Sequence, residues 1–245
     1  MVERRLPKPK VAGSNPVFRS TFLAIRAGVF DLAQKTIEAQ LLAAGRQLAD
    51  RTPGTSGNLS CLLDDRQAFV VSPSGLSYQE LGEADFVTLD IGTGAIVKGH
   101  RVPSTEWRLH QAIYQRRPDV RAIVHVHSFY ATVLSTLNRP VKAVHYQLSW
   151  VGDEVAVAEY ATYGTVALAQ NAANALGQSG AVLLKNHGLV TVADTLERAM
   201  TFAKDVEWVA ALYVTGLQVG EPNVLSAEQL AQARVQFRRY GQPEQ

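Results

Sequence analysis

The chain has 245 residues, of which 47% are hydrophobic and 19% are charged, and this composition favours one globular domain with a sizeable core. Its 24 basic and 22 acidic residues leave a formal net charge of +2, so we expect no nucleic-acid partner and no membrane partner. The single cysteine, Cys61, excludes an internal disulfide and, with no secretory pattern, predicts a cytoplasmic protein.

The amino-terminal residues 1–30 are predicted to be an extension, partly mobile, and residues 31–245 are predicted to form the domain. Residues 1–15 are basic, contain Pro7 and Pro9, and show no apolar period. The apolar stretch over residues 22–33 is far shorter than the ~20 apolar residues that span a bilayer. We therefore predict no membrane segment.

Helical spacing of apolar residues over residues 18–51 predicts one or two helices. Four short apolar runs then follow, separated by close turns that indicate antiparallel strands, at residues 59–63, 68–71, 86–89 and 95–98. Further helices are predicted over residues 105–115, 130–137, 165–176 and 195–217 and from residue 225, with strands over residues 122–127, 143–147 and 181–185. The fold class is α/β, a three-layer single domain whose central mixed, largely antiparallel sheet is covered by helices on both faces.

Histidines carry the strongest local signal. In Ile123-Val-His-Val-His-Ser128, His125 and His127 are two residues apart on a predicted strand and therefore point to the same side. His187 follows another apolar strand, and Gly188 after it is expected to let the chain turn sharply. Ordinary strand-end histidines are the alternative for each residue alone. Three imidazoles with an open position together predict a catalytic zinc site.

Glu106 lies in Val102-Pro-Ser-Thr-Glu-Trp-Arg-Leu-His110. Ser104 can cap a helix there, which would place Glu106 in the first turn. Favourable interaction with the helix dipole is sufficient to explain a glutamate at this position, and its proximity to a metal is the alternative.

Two loops, residues 54–58 and 72–75, are rich in hydroxyl groups and glycine and lie beside predicted strands. Such turns present backbone N–H groups and small donors to a phosphate without a basic patch. Plain turns have the same composition, but the two loops together with Ser104 and Thr105 favour an anion site.

Several stretches, taken in chain order over about residues 36–240, resemble the class II aldolase and adducin-head family, and most closely its L-fuculose-1-phosphate aldolase branch. They are Gly54-Thr-Ser-Gly-Asn-Leu-Ser60, Val71-Ser-Pro-Ser-Gly75, Pro103-Ser-Thr-Glu-Trp-Arg-Leu-His110, Ala122-Ile-Val-His-Val-His127, His145-Tyr146, Tyr160-Ala-Thr-Tyr-Gly-Thr165 and Leu183-Leu-Lys-Asn-His-Gly188.

The resemblance implies a class II aldolase-like catalytic domain, with Zn²⁺ as its cofactor and a homotetrameric assembly. It implies three groups of site residues: zinc ligands His125, His127 and His187 with Glu106 on the metal or as the proton-transfer group; a substrate-phosphate pocket of Thr55, Gly57, Asn58, Ser74, Gly75, Ser104 and Thr105; and the catalytic tyrosines Tyr146 and Tyr240.

The implied reaction is the cleavage of a phosphorylated ketose, similar to L-fuculose 1-phosphate, into dihydroxyacetone phosphate and an aldehyde, through an enediolate held on zinc. Tyr146 matches the tyrosine that donates a proton to the aldehyde oxygen. Tyr240 matches a carboxy-terminal tyrosine that reaches a neighbouring subunit's site. A last helix that packs only on its own domain is the alternative fate of this tail.

The sequence leaves two alternatives to the aldolase. The same scaffold is used for epimerisation, dehydration and decarboxylation of sugar phosphates, although the Thr-His-Ala-Asp stretch expected of ribulose-phosphate 4-epimerases is absent from the sequence. A non-catalytic binding module like the adducin head is expected to have lost the zinc ligands, whereas this sequence has all three histidines and Glu106.

Overall fold

The structure, a computed structural model, describes residue 34, residues 36–49 and residues 54–237. The predicted extension over residues 1–30 and the predicted site residue Tyr240 lie outside the described residues. The boundary between extension and domain therefore stays a prediction.

Six α-helices are described: α1 over residues 36–48, α2 Trp107–Arg116, α3 Phe129–Thr136, α4 Val166–Leu176, α5 Leu196–Val219 and α6 Ala227–Phe237. Two short 3-10 helices span Glu83–Asp85 and Tyr146–Trp150. The ten strands are β1 Asn58–Leu62, β2 Ala68–Val71, β3 Val87–Asp90, β4 Ile96–Lys98, β5 Ala122–Val126, β6 Val141–Lys142, β7 Glu154–Val155, β8 Val157–Ala158, β9 Ala181–Leu184 and β10 Gly188–Ala193.

Eight of these strands form one sheet in the order β4-β3-β2-β1-β5-β10-β9-β8, and β6 and β7 form a separate pair. Every neighbouring pair in the large sheet is antiparallel except β8 and β9, which are parallel. The predicted mixed, largely antiparallel sheet is confirmed.

Apolar side chains on the two faces of the sheet form two separate cores. Helices α2 and α4 pack on one face, and α1, α3 and α5 pack on the other. On β5, Ile123 belongs to the core under α2, whereas Val124 and Val126 belong to the opposite core. Because side chains alternate along a strand, His125 lies on the α2 side together with Ile123.

Three differences separate the predicted elements from the observed ones. The strand predicted over residues 143–147 is wrong: Val141 and Lys142 pair with β7, and Tyr146 begins a 3-10 helix. Helix α2 begins at Trp107, two residues later than predicted. Strands β7, β8 and β10 were not predicted. Only three residues separate β9 from β10. The sequence therefore predicts one strand, over residues 181–185, followed by a loop.

Within the part of the chain that the structure describes, none of the helices has the length and apolar character needed to cross a bilayer.

Candidate active site

His125 and His127 are positioned by the carboxyl end of β5. His125 is fully buried, and His127, just past the last strand residue, is partly buried. The antiparallel register pairs Asn58 of β1 with His125 and Val190 of β10 with the same residue. Strand pairing therefore brings the start of β1 and the start of β10 to the two histidines.

His187 lies at the tip of the hairpin that joins β9 to β10. The left-handed residue in this turn is Asn186, with φ of 54°, so the expectation that Gly188 makes the turn is wrong. Gly188 serves instead for close approach, because a Cβ there would lie 2.6 Å from the Val126 carbonyl oxygen and 2.8 Å from the His127 ring. A larger residue at 188 would push His187 away from the β5 histidines.

The three imidazole rings converge on one point. Their ligand atoms all lie within 4.8 Å of one another, and the Nε2 atoms of His125 and His127 are 3.1 Å apart. Glu106 closes the fourth side: its Oε2 is 3.2 Å from His125 Nε2, and its Oε1 is 3.5 Å from His187 Nε2. Among the described residues, the Oε1 atom is buried without a hydrogen-bond partner.

The protonation states of the three histidines are compatible with binding of a metal cation. His125 Nδ1 donates to the backbone oxygen of Leu189 at 3.0 Å, which leaves a lone pair on Nε2 toward the cluster when the ring is neutral. Burial, assisted by the positive charge of His125, lowers the pKa values of His127 and His187 to about 4. Both rings are therefore neutral near pH 7, the form that binds a metal.

Glu106 and His125 form a coupled, buried pair. Burial alone would raise the pKa of Glu106, but His125, His187 and a hydrogen bond from Asn58 together hold it below its usual range. Burial alone would lower the pKa of His125, but the carboxylate raises it. In the metal-free chain a proton on His125 thus neutralises Glu106, and a divalent cation bound by the same atoms would displace that proton. The donor set fits a metal ion.

A cleft of about 380 Å³ opens beside the cluster. The sequence-predicted residues that line it are Thr55, Gly57, Asn58, Ser74, Gly75, Ser104, Thr105, Glu106, His127 and His187. Three loops supply the phosphate-pocket residues, because β1 and α2 begin, and β2 ends, at this edge of the sheet. At Gly57, with φ of +87°, a Cβ would lie 2.7 Å from the His125 carbonyl oxygen, so only glycine allows the first loop to lie this close to β5.

Glu106 occupies the N-cap position of α2 instead of its first turn, but its own side chain does not cap the helix. Ser104 accepts the Glu106 backbone N–H through its side-chain oxygen at 3.3 Å. Ser104 is therefore not the N-cap of α2 that the sequence suggested, but it helps to fix the backbone from which the carboxylate reaches the histidines.

Tyr146 is not brought to this cleft by the described part of the chain. Its side chain is 51% exposed, and its ring lies 4.2 Å from the His145 ring and 5.5 Å from the Phe237 ring. The catalytic roles of Tyr146 and of Tyr240, which lies outside the described residues, stay predictions.

Several residues at or near the site received no role from the sequence. Tyr160, Tyr163 and Asn186 line the cleft, and His110 lies behind it, hydrogen-bonded to Asn58. Tyr160 and Tyr163 belong to a motif that carried the family resemblance. His110 is four residues after Glu106, and this helical spacing could have placed both on one face of α2.

A larger cavity of about 790 Å³ lies between α1 and α5, at the opposite end of β1 and β5. Size alone would favour it as the site. However, the only cluster of metal-binding side chains found among the described residues belongs to the smaller cleft, so we assign the chemistry there.

Three histidines and a carboxylate, gathered at one edge of a largely antiparallel sheet between two helix layers, define the chain as an α/β protein with the donor set of a metalloenzyme. A sequence model of the class II aldolase and adducin N-terminal domain family matches residues 39–214. The chain belongs to this family.

Individual relatives support the same assignment. The chain is 41% identical over 190 residues to an L-fuculose phosphate aldolase of Escherichia coli, covering 77% of this chain and 86% of the relative. It is 36% identical over 213 residues to a 5-deoxy-D-ribulose 1-phosphate aldolase of Bacillus thuringiensis, covering 86% and 99%. A solved L-fuculose 1-phosphate aldolase superposes with a TM-score of 0.80 at 42% identity, covering 83% of this chain and 96% of that one.

Proposed function

We propose that this protein is a zinc-dependent aldolase that cleaves a ketose 1-phosphate to dihydroxyacetone phosphate and an aldehyde. The observation that carries the proposal is the cluster of His125, His127, His187 and Glu106 at the wall of a cleft rich in hydroxyl and amide groups. The names of the two aldolase relatives, both of which refer to ketose phosphates, support the reaction class.

His125, His127 and His187 would hold the metal, and three neutral imidazoles with an open position favour Zn²⁺. When bound, the ion supplies Lewis acidity that polarises the carbonyl group of the substrate. The family relationship and the donor set support zinc in this role.

Glu106 is proposed to move the proton on the nucleophilic carbon of dihydroxyacetone phosphate. One carboxylate oxygen accepts from Asn58 Nδ2 at 3.0 Å, and the other is buried without a hydrogen-bond partner among the described residues. A carboxylate with one oxygen held by a hydrogen bond and the other free of hydrogen bonds is suited to exchange a proton with a bound ligand.

The phosphate is proposed to bind the cleft loops that hold Thr55, Gly57, Asn58, Ser74, Gly75, Ser104 and Thr105. The described cleft residues include neither lysine nor arginine, so these neutral side-chain and backbone groups would carry the recognition. The protein would thereby select a small phosphate monoester by shape and hydrogen bonding, with little attraction to polyanions.

Tyr146 is proposed to act in the site of a neighbouring chain of a homotetramer. There it would transfer the proton of the hydroxyl that becomes the aldehyde on cleavage, and would return that proton to the aldehyde oxygen in the reverse condensation. Its half-exposed ring and its position away from the cleft of its own chain support this arrangement. A residue that acts across a subunit boundary must remain accessible in the isolated chain.

The test is to purify the protein without chelator, measure bound metal, and assay L-fuculose 1-phosphate, 5-deoxyribulose 1-phosphate and other ketose 1-phosphates for release of dihydroxyacetone phosphate. We expect about one zinc per chain and metal-dependent release from at least one substrate. Conversion of a sugar phosphate to its epimer, or loss of carbon dioxide, without dihydroxyacetone phosphate would reject the aldolase. Full activity after the metal has been removed would reject the metal's role.

A further inference from the structure

A line of buried hydrogen bonds connects the interior of helix α2 to Glu106. Glu106 at the N-cap of α2 is followed at intervals of four residues by His110 and Tyr114, so the three side chains lie along one side of the helix. Asn58 and Ser60 are two residues apart on β1 and share the face that α2 covers. The five side chains are between 0% and 6% exposed.

The direction of each hydrogen bond follows from the carboxylate. Glu106 Oε2 can only accept, so the group of Asn58 that lies 3.0 Å away is the amide nitrogen. Asn58 Oδ1 therefore faces His110 Nε2 at 2.5 Å, and this nitrogen carries the hydrogen. His110 Nδ1, then unprotonated, accepts from the Ser60 hydroxyl at 2.6 Å.

The last member of the line is Tyr114. Because Ser60 has one hydrogen and gives it to His110, the hydroxyl of Tyr114 must donate to Ser60 Oγ, 2.7 Å away. Burial, aided by the positive charge of His125, lowers the pKa of His110 to about 3. The ring is thus neutral near pH 7, with one donating and one accepting nitrogen.

We propose that His110 is a positioning residue that fixes the orientation of the Asn58 amide, and through it the donor pattern of the cleft. With its oxygen engaged by His110, Asn58 presents only N–H groups, one to Glu106 and one to the cleft. It would therefore bind an anionic or carbonyl oxygen of the ligand. A reversed amide would set its oxygen against the Glu106 carboxylate at 3.0 Å, where two acceptors repel.

The inference deepens the proposed function, because the ligand oxygen that Asn58 meets would belong to the phosphorylated sugar. His110 itself does not line the cleft. It acts through Asn58 and Glu106, as outer partners of metal and substrate ligands commonly do.

The first test is the tautomer of His110 in the zinc-loaded protein, measured by ¹⁵N–¹H correlation spectra of protein labelled at histidine nitrogens. We expect a neutral ring with the hydrogen on Nε2, unchanged from pH 6 to pH 8. A hydrogen on Nδ1, or a charged ring, would overturn the proposal. This result does not depend on any activity, so it stands even if the protein cleaves no ketose phosphate.

The second test compares two His110 variants with a control on the same helix. His110→Gln keeps an N–H near the Nε2 position, whereas His110→Leu keeps no polar atom; Ile113→Ala removes fully buried apolar atoms outside the hydrogen-bond line. We expect His110→Leu to lower kcat/KM for the cleaved ketose phosphate by roughly tenfold or more, and His110→Gln to recover most of that loss.

Ile113→Ala should lower the melting temperature but leave kcat/KM unchanged below the unfolding transition. Equal activity of His110→Leu and the wild type would overturn the proposal. Activity losses that follow thermal stability alone, with Ile113→Ala as affected as His110→Leu, would also overturn it. If His110→Leu does not fold, His110→Gln decides the matter. Full activity of that variant, together with a ¹⁵N–¹H spectrum of glutamine-labelled protein that shows no hydrogen-bonded side-chain amide at position 110, would overturn the proposal.

Discussion

The histidine–glutamate cluster and the aromatic surface formed by Tyr146, Trp150, Trp208 and Phe237 differ in burial and in origin. Glu106 and His125, in the cluster, are 6% and 0% exposed. On the aromatic surface, Tyr146 is 51% exposed and Trp208 is 45% exposed. The cluster is built on central strands, whereas the surface combines a 3-10 helix with α5 and α6.

The two regions therefore depend on different interactions. Strand register fixes the cluster within one chain, and its buried polar atoms bind one another. The aromatic surface is held by contacts between elements, such as the hydrogen bond from Arg234 of α6 to the Ser149 carbonyl oxygen at 2.8 Å and the ring contact of Trp150 with Phe237. Its large exposed rings are typical of a surface that another chain covers. Under the proposed function, the metal half of the site would be complete in one chain, and the Tyr146 half would depend on assembly.

The substitution with the largest expected effect is His127→Ala, which tests the metal half of the site. Loss of one of three imidazoles should remove most of the metal and lower activity by well over the ~10²-fold that outer partners of a metal cost. Metal analysis and the cleavage assay would measure both. Oligomeric state should not change, and a variant that keeps full zinc and activity would refute the metal site.

Glu106→Gln should have the second largest effect, because it keeps the shape of the side chain but removes the base. We expect turnover to fall by roughly 10²-fold or more, with the fold intact by circular dichroism. Exchange of solvent deuterium into dihydroxyacetone phosphate isolates the proton transfer. Exchange at the wild-type rate in this variant would exclude Glu106 as the base.

Tyr146→Phe tests the other half and should have a smaller effect, at or below about 10²-fold on carbon–carbon cleavage. Deuterium exchange into dihydroxyacetone phosphate should suffer less, since the hydroxyl is proposed to act on the aldehyde only. Equal losses in the two assays would contradict this division of labour.

Mixed oligomers of Tyr146→Phe and Glu106→Gln would decide which chain's Tyr146 serves a site. If Tyr146 acts on a neighbour, some sites in a hybrid combine an intact Glu106 with an intact Tyr146, and activity should rise above that of either parent. If exchange of subunits is shown by mass but activity does not rise, Tyr146 serves its own chain.

The smallest predicted effect concerns the pH dependence of the unfolding free energy that arises from His110. The pKa of His110 falls from 6.5 to about 3 on burial, so its neutral form stabilises the fold above pH 6.5. That stability is lost as the pH falls from 6.5 toward 3, by at most about 1.4 kcal/mol per pH unit. In metal-free protein, His110→Gln should lose less unfolding free energy than the wild type over this interval. If urea titrations show the same decrease of unfolding free energy with pH in His110→Gln and in the wild type, the prediction is wrong.

Periodicity predicted most of the fold, since helices α3 to α5 and strands β1, β2 and β5 lie within one or two residues of their predicted positions. It failed where pairing, not local pattern, makes the strand. The two-residue strands β6 and β7 exist because Val141 pairs with Val155, and such a short pair leaves no period in a sequence.

What the sequence by itself determined was the donor set: alternate histidines on one strand, a third histidine after another, and hydroxyl-rich loops that all line one cleft. Tertiary structure decided the rest. Only the packing of α2 on β1 shows that His110 holds Asn58, and only the fold of the 3-10 helix shows that Tyr146 lies away from the cleft. The physical reason is that local spacing sets which way a side chain points, whereas its partners are chosen by strand register and helix packing between residues distant in the chain.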